Sequence, residues 1–130
     1  MEYKDYRYLK FERLGKGVLL IQINRPEVLN ATNSKLHNEL TYVWESVAKD
    51  ELTNVVVITG MGDRAFSAGG DVELIEGMIG NPDEIERVQR EASDLVFNML
   101  AFEKPVISAI NGVAVGAGLA VALLADISVI

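Results

Sequence analysis

Two apolar runs limit this chain more than any other feature. Asn54–Thr59 reads NVVVIT and Val106–Ile110 reads VISAI. Both are short and nearly free of polar positions, the pattern of strands buried on both faces in a sheet flanked by helices. Helical signals lie between them. Asn81-Pro82-Asp83-Glu84 places a capping Asn, a first-position Pro and a third-position Glu in order, which starts a helix. Ile85, Val88, Ala92, Leu95, Val96 and Met99 continue it along one face until Lys104-Pro105 stops it. The remaining segments agree. Tyr8–Arg13 alternates, Gly15-Lys16-Gly17 turns, and Val18–Asn24 follows, which predicts a β-hairpin. Arg25-Pro26 ends its second strand. Asn33 or Ser34 can cap a helix whose apolar face is Leu36, Leu40, Val43 and Val47. Gly60–Ala65 reads as a loop, Asp71–Gly77 as a short helix, Asn111-Gly112 as a turn, Ala117–Ala125 as a helix and Ile127–Ile130 as the start of a buried strand. A hairpin followed by strand–helix alternation predicts an α/β fold with some parallel sheet.

Repeats, linkers and low-complexity tracts are absent, so residues 1–130 read as one domain. Ile127–Ile130 is apolar strand material with no cap or polar tail after it. Chain termini are usually exposed, so the expectation is the first part of a longer domain, truncated at its C-terminal end. Twelve basic against 19 acidic residues give a net charge of −7, which argues against nucleic acid and anionic membranes as partners. A small anionic ligand stays open. The absence of Cys and the single His exclude disulfides, thiolate metal centres and His-rich sites. The charged opening MEYKDYRYLK has no apolar core of a signal peptide, so a cytoplasmic protein is expected. No charge lies between Lys104 and Asp126, a run of 21 residues. Its uninterrupted apolar part, Val113–Ala125, has only 13, which suits a buried helix rather than a membrane span.

AFSAGGD at Ala65–Asp71 and NGVAVGAGLAVALLA at Asn111–Ala125 carry almost no side-chain chemistry. Each follows an apolar strand and precedes a helix. The first N–H groups of a helix lack partners and sit at its positive end, and small residues let another molecule reach the backbone. Two such donors converging on a carbonyl would form an oxyanion hole. The alternative is tight helix–strand packing, and both readings stay open on these residues alone. A dinucleotide loop fails because Val121 stands at the third glycine position, and no GxxxxGK[ST] exists.

NRPEVLNA at Asn24–Ala31, AFSAGGDV at Ala65–Val72 and KPVISAINGVAVGAGLAVALLADI at Lys104–Ile127 together resemble the enoyl-CoA hydratase/isomerase (crotonase) family. The likeness runs over nearly the whole chain after about residue 10. It implies a ClpP/crotonase-like spiral of ββα units, with this chain supplying the first half, and assembly as a homotrimer or hexamer. It implies an acyl-CoA or enoyl-CoA substrate, coenzyme A being part of that substrate and no separate cofactor being needed. Two backbone N–H groups would hold the thioester carbonyl and stabilise an enolate; the resemblance places them at Ala68 and Ala117. It places Val28, Ala31, Ala65, Ser67, Gly69, Gly70 and Asp71 along the CoA and acyl groove, and Gly116 in the second turn. Asp71 would be an acid beside the site or simply the N-terminal residue of a helix.

One departure matters. Hydratases of the family carry Glu just after the glycine turn, where this chain has Ala120, and their second Glu would fall beyond Ile130. Adding water normally uses both carboxylates, so ordinary hydratase activity is not expected. The enolate-stabilising site that survives would serve an isomerase, a decarboxylase, a C–C hydrolase, a dehydratase with an acid from elsewhere, or a paralogue that binds CoA esters without turnover. Of the other polar residues, His37 falls off the apolar helix face and is expected in solvent. Asp126 reads as structural. The five acids of Asp83–Asp94, against Arg87 and Arg90, read as a solvated face. Arg64 would meet a CoA phosphate or be a plain loop charge.

Overall fold

The computed structural model describes residues 2–130. Strands β1 (Leu9–Gly15) and β2 (Val18–Ile23) form the expected antiparallel hairpin, with Leu9 opposite Ile23. Gly15, Lys16 and Gly17 all take positive φ at its turn, which is why two glycines frame it. Helix α1 (Ser34–Ala48) follows, and the Asn33 side chain accepts a hydrogen bond from Leu36 N at 2.8 Å. Strand β3 (Val55–Gly60) returns parallel to β2. After β4 (Ala65–Ser67) come α2 (Val72–Met78) and α3 (Pro82–Ala101), capped by Asp71 and Asn81. Strand β5 (Val106–Ala109) lies parallel to β3, the two-residue β6 (Val113–Ala114) leads into α4 (Ala117–Leu124), and β7 (Ile127–Val129) lies parallel to β5. The main sheet therefore has the order β1-β2-β3-β5-β7, and β4 pairs with β6 in a separate two-stranded sheet.

The core lies between the sheet and α1. Leu19, Ile21 and Ile23 of β2, Val56 and Ile58 of β3, and Leu36, Leu40, Val43 and Val47 of α1 are all buried. Each such side chain contributes roughly 1.5–3 kcal/mol relative to exposure. Trp44 is buried beside them, edge-on to Phe102, with its indole N–H donating to Leu40 O. Among the described residues no helix is long and apolar enough to cross a membrane.

Five expectations change. Strands β3 and β5 are each buried on one face only, because Val55, Val57 and Thr59 of β3 and Ile107 and Ala109 of β5 are half-buried. Strand β7 is an exposed edge, Ile127 and Val129 each being more than half exposed. The loop predicted over Gly60–Ala65 narrows to residues 61–64, because Ala65 starts β4. On α3 the buried stripe is Glu91, Leu95 and Met99, while Ile85 and Ala92 turn outward. His37 is buried, 5% exposed, because α3 packs on that side of α1 and brings Glu91 Oε2 to 3.2 Å from its Nδ1. Glu91 also pairs with Arg87 on its own helix, so the acidic face of α3 is in part a hydrogen-bonded contact with α1 rather than wholly a solvated surface.

Candidate functional site

The two small-residue segments meet because β4 and β6 are parallel partners. Ala65 pairs with Val113 and Ser67 with Ala114, and Val115 N then donates to Ser67 O at 3.0 Å. The chain leaves β4 through Ala68-Gly69-Gly70 and leaves β6 through Val115-Gly116-Ala117, side by side. The small residues answer to different constraints at different positions. Gly118 answers to packing, since a Cβ there would overlap the Ser67 side chain and stand 2.8 Å from its Oγ. Gly116 answers to backbone geometry. Its φ is +59°, and a Cβ on it would stand 3.4 Å from Gly69 Cα and 3.9 Å from Gly70 N.

The amides of the first segment are not equivalent. Ala68 N donates to Leu29 O at 3.0 Å, so that N–H is engaged inside the chain and is not the free donor that the family resemblance implied. Gly69 N donates to Ser67 Oγ at 3.3 Å. Gly70 N is the amide left without an acceptor among the described residues. Its neighbours are both tied to Thr32: Thr32 N donates to Gly69 O at 2.7 Å, and Asp71 N donates to Thr32 O at 3.0 Å. In the second segment Ala117 N, at the first position of α4, likewise has no acceptor among the described residues. The structure thus sets the Gly69-Gly70 peptide against Gly116, the residue that caps α4. Unpaired N–H groups of this kind can donate to an oxygen that gains negative charge.

The side chains named for the groove fall into two groups. Val28 is exposed on a 3₁₀ turn over Pro26–Val28. Ala31, Ala65 and Ser67 are buried, and Ser67 Oγ donates to Asn30 O at 2.8 Å, so their side chains face the protein interior. Asp71 is the N-cap of α2, accepting from Leu74 N at 2.8 Å, and it also pairs with Arg25 at 3.0 Å. Ala120 sits half-buried in the first turn of α4, its N–H donating to Gly116 O. Arg64 is exposed and has no ion-pair partner among the described residues. With Pro26, Leu29, Asn30, Met61 and Ala65 it borders a cavity of about 60 Å³. Asp126 accepts from Val106 N at 2.8 Å, as its structural reading expects.

Three residues that hold this site were not singled out in the sequence. Asn30 is buried with φ +55°, donates to Met61 O and Ala65 O, and accepts from Arg25 N. Asn111 bonds both the N–H and the carbonyl of Gly60, at 3.0 and 2.8 Å. Arg25 binds Ala31 O and Asp71 and lies 5.1 Å from the Tyr8 ring centroid. The available signal was Asn at turn positions, a residue that tolerates the left-handed region and bonds nearby backbone. The groups moved from their ordinary pKa, such as Asp50 and Tyr42, lie on other parts of the fold.

Residues 13–130 match the sequence model of the enoyl-CoA hydratase/isomerase family. The chain is 39% identical over 114 residues to the 1,2-epoxyphenylacetyl-CoA isomerase of Escherichia coli, covering 86% of this chain and 43% of that protein. It is 36% identical over 118 residues to the short-chain-enoyl-CoA hydratase of Clostridium acetobutylicum, covering 91% and 44%. An enoyl-CoA hydratase/isomerase structure from Mycobacterium paratuberculosis superposes with a TM-score of 0.87 at 35% identity, covering 93% of this chain and 48% of that one. The chain therefore spans less than half the length of the relatives it matches.

Proposed function

Because the chain belongs to the enoyl-CoA hydratase/isomerase family and has the crotonase fold, we propose that it carries part of an acyl-CoA thioester site in which the N–H groups of Gly70 and Ala117 stabilise an enolate. The observation that supports this most is that Gly70 N and Ala117 N, on two adjoining segments, both lack an acceptor among the described residues. Chemistry follows from the donors. A thioester carbonyl that accepts two N–H bonds becomes a better electron sink, so its α-carbon loses a proton more readily, and the oxygen that gains the charge lies where donors already point. Ala117 differs from a glycine at this turn by one methyl; its donor is main chain, so the bond survives and the acyl pocket narrows. Coenzyme A enters as part of the substrate. Arg64, exposed at the rim, supports a role in holding a CoA phosphate.

Proton transfer is the second half of the reaction, and Ala120 cannot supply it. The reading therefore favours isomerase, decarboxylase, C–C hydrolase or related enolate chemistry, with the acid or base elsewhere in the protein, over plain hydration. The same missing carboxylate also favours a second reading, a CoA-ester-binding or assembly paralogue. A homotrimer or hexamer, which the family resemblance implies, belongs to either reading. Calorimetric titration of the intact protein with an acyl-CoA, followed by a crotonyl-CoA hydration assay on the same sample, tests the proposal. Tight binding with little hydration is the expected result. Fast hydration would overturn the reading of Ala120, and absence of binding would overturn the acyl-CoA site.

A further inference from the structure

An N–H group stabilises a transition state only if it is held in place beforehand. Gly70 has no side chain to hold it, and its position is set by what surrounds it. Gly69 O and Asp71 N are both bonded to Thr32, at 2.7 and 3.0 Å. Thr32 is in turn fixed through its neighbour Ala31, whose carbonyl accepts from Arg25 Nη1. The same Nη1 bonds Asp71 Oδ2 at 3.0 Å. One guanidinium therefore closes a ring that begins at Ala31 and ends at Asp71, with the unpaired amide inside it. The Arg25 and Asp71 side chains are only 12% and 16% exposed, and Arg25 stacks over Tyr8. Little solvent screens the pair, and charge-assisted bonds are the strong ones.

We propose that Arg25 and Asp71 are positioning residues for the Gly70 donor: their ion pair locks the 25–32 loop to the 68–71 segment and so aims the N–H at the thioester oxygen. This inference rests on the acyl-CoA reading above. Asp71 is then neither the site acid nor only a helix cap. As a cap it accepts from Leu74 N through Oδ1, while Oδ2 faces Arg25, so its two oxygens hold the helix and the loop separately.

The division of labour gives a clean variant. D71N keeps a capping oxygen, since Asn caps as well as Asp, and removes the charge that Arg25 meets. R25K keeps the charge and loses the planar fork. The test is the absorption spectrum of bound cinnamoyl-CoA on the intact protein, because hydrogen bonds to the carbonyl of a conjugated thioester move its band to longer wavelength. The wild-type protein is expected to bind and show the shift. D71N and R25K are expected to fold, to bind within about tenfold of wild type, and to lose most of the shift. The double variant should lose no more than the worse single one, as coupled positions do. Where the chemistry is assayed, a donor moved by about an ångström costs up to roughly 100-fold in turnover.

Variants that melt earlier but keep the full shift would overturn the proposal, since the pair would then serve stability alone. Should D71N not fold, R25K decides by the same spectrum. A wild-type protein that binds no cinnamoyl-CoA, or binds it unshifted, would instead remove the acyl-CoA reading, and the positioning role with it.

Discussion

Gly118→Ala and Gly77→Ala make the same chemical change inside two helices, and the structure gives them opposite signs. A Cβ at Gly77 in α2 meets nothing within 4 Å. Replacing Gly by Ala at an open helical position stabilises by about 0.5–1 kcal/mol through backbone entropy. At Gly118 the same Cβ stands 2.8 Å from Ser67 Oγ and 3.1 Å from Ser67 O. Ser67 cannot swing aside easily, being fully buried with Oγ bonded to Asn30 O and Gly69 N. Overpacking of this kind costs about 1–3 kcal/mol, which meets or outweighs the propensity gain. G118A should therefore be destabilised by up to about 2 kcal/mol and G77A stabilised by up to about 1 kcal/mol. At about 3–5 °C per kcal/mol for a chain of this size, thermal unfolding followed by circular dichroism on the intact protein separates them. G118A melting at or above wild type would show that Gly118 is not a packing glycine, and that the contact between α4 and β4 is looser than described.

Asn30→Ala should cost about 1–3 kcal/mol, because it strips partners from buried main-chain groups; Asn30→Asp should cost more in urea unfolding, since its amide now donates to two carbonyls and a carboxylate would oppose both. The Tyr42 hydroxyl donates to Asp94, and that bond, followed by burial, pushes its pKa up to about 12. An unfolded tyrosine titrates near about 10, so this stabilisation is complete below that pH and is lost as pH rises from about 10 toward 12. Y42F should flatten the alkaline limb of the stability–pH curve. Burial tends to raise the Asp50 pKa, but bonds from Arg13, Tyr3 and Thr53 outweigh it and hold the carboxyl well below the usual range. Its stabilisation is present above about pH 4 and falls away in acid, so D50N should weaken the neutral protein and flatten the acid limb. Glu91→Ala removes the partner shared by His37 and Arg87 and should destabilise by about 1–3 kcal/mol without altering acyl-CoA binding, checked by melting and titration together.

The apolar face of α1 was legible because Leu36, Leu40, Val43 and Val47 repeat with the helix and meet the sheet. His37 was not, because α1 has a second covered side, and polar residues there face polar residues of α3 that no local pattern reveals. Strands β4 and β6 are three and two residues long, too short to show a period, yet their pairing is what brings the two small-residue segments together. The segments themselves were visible as composition. Which amide remains unpaired was not, since the choice between Ala68 and Gly70 depends on Leu29 and Thr32, about 40 residues earlier in the chain. Exposure of β7 and of one face of β3 escaped for a related reason: an apolar run reports what a strand could bury, not what stands beside it.

Isotope-edited infrared spectroscopy tests the central claim most directly. An acyl-CoA labelled with ¹³C at the thioester carbonyl is added to the intact protein, and the carbonyl stretch of the bound form is compared with that of the free thioester. Two backbone donors at Gly70 and Ala117 require the stretch to move to lower wavenumber on binding. A bound thioester whose stretch stays at its aqueous value, or moves higher, would contradict the account and leave the small-residue segments as packing alone.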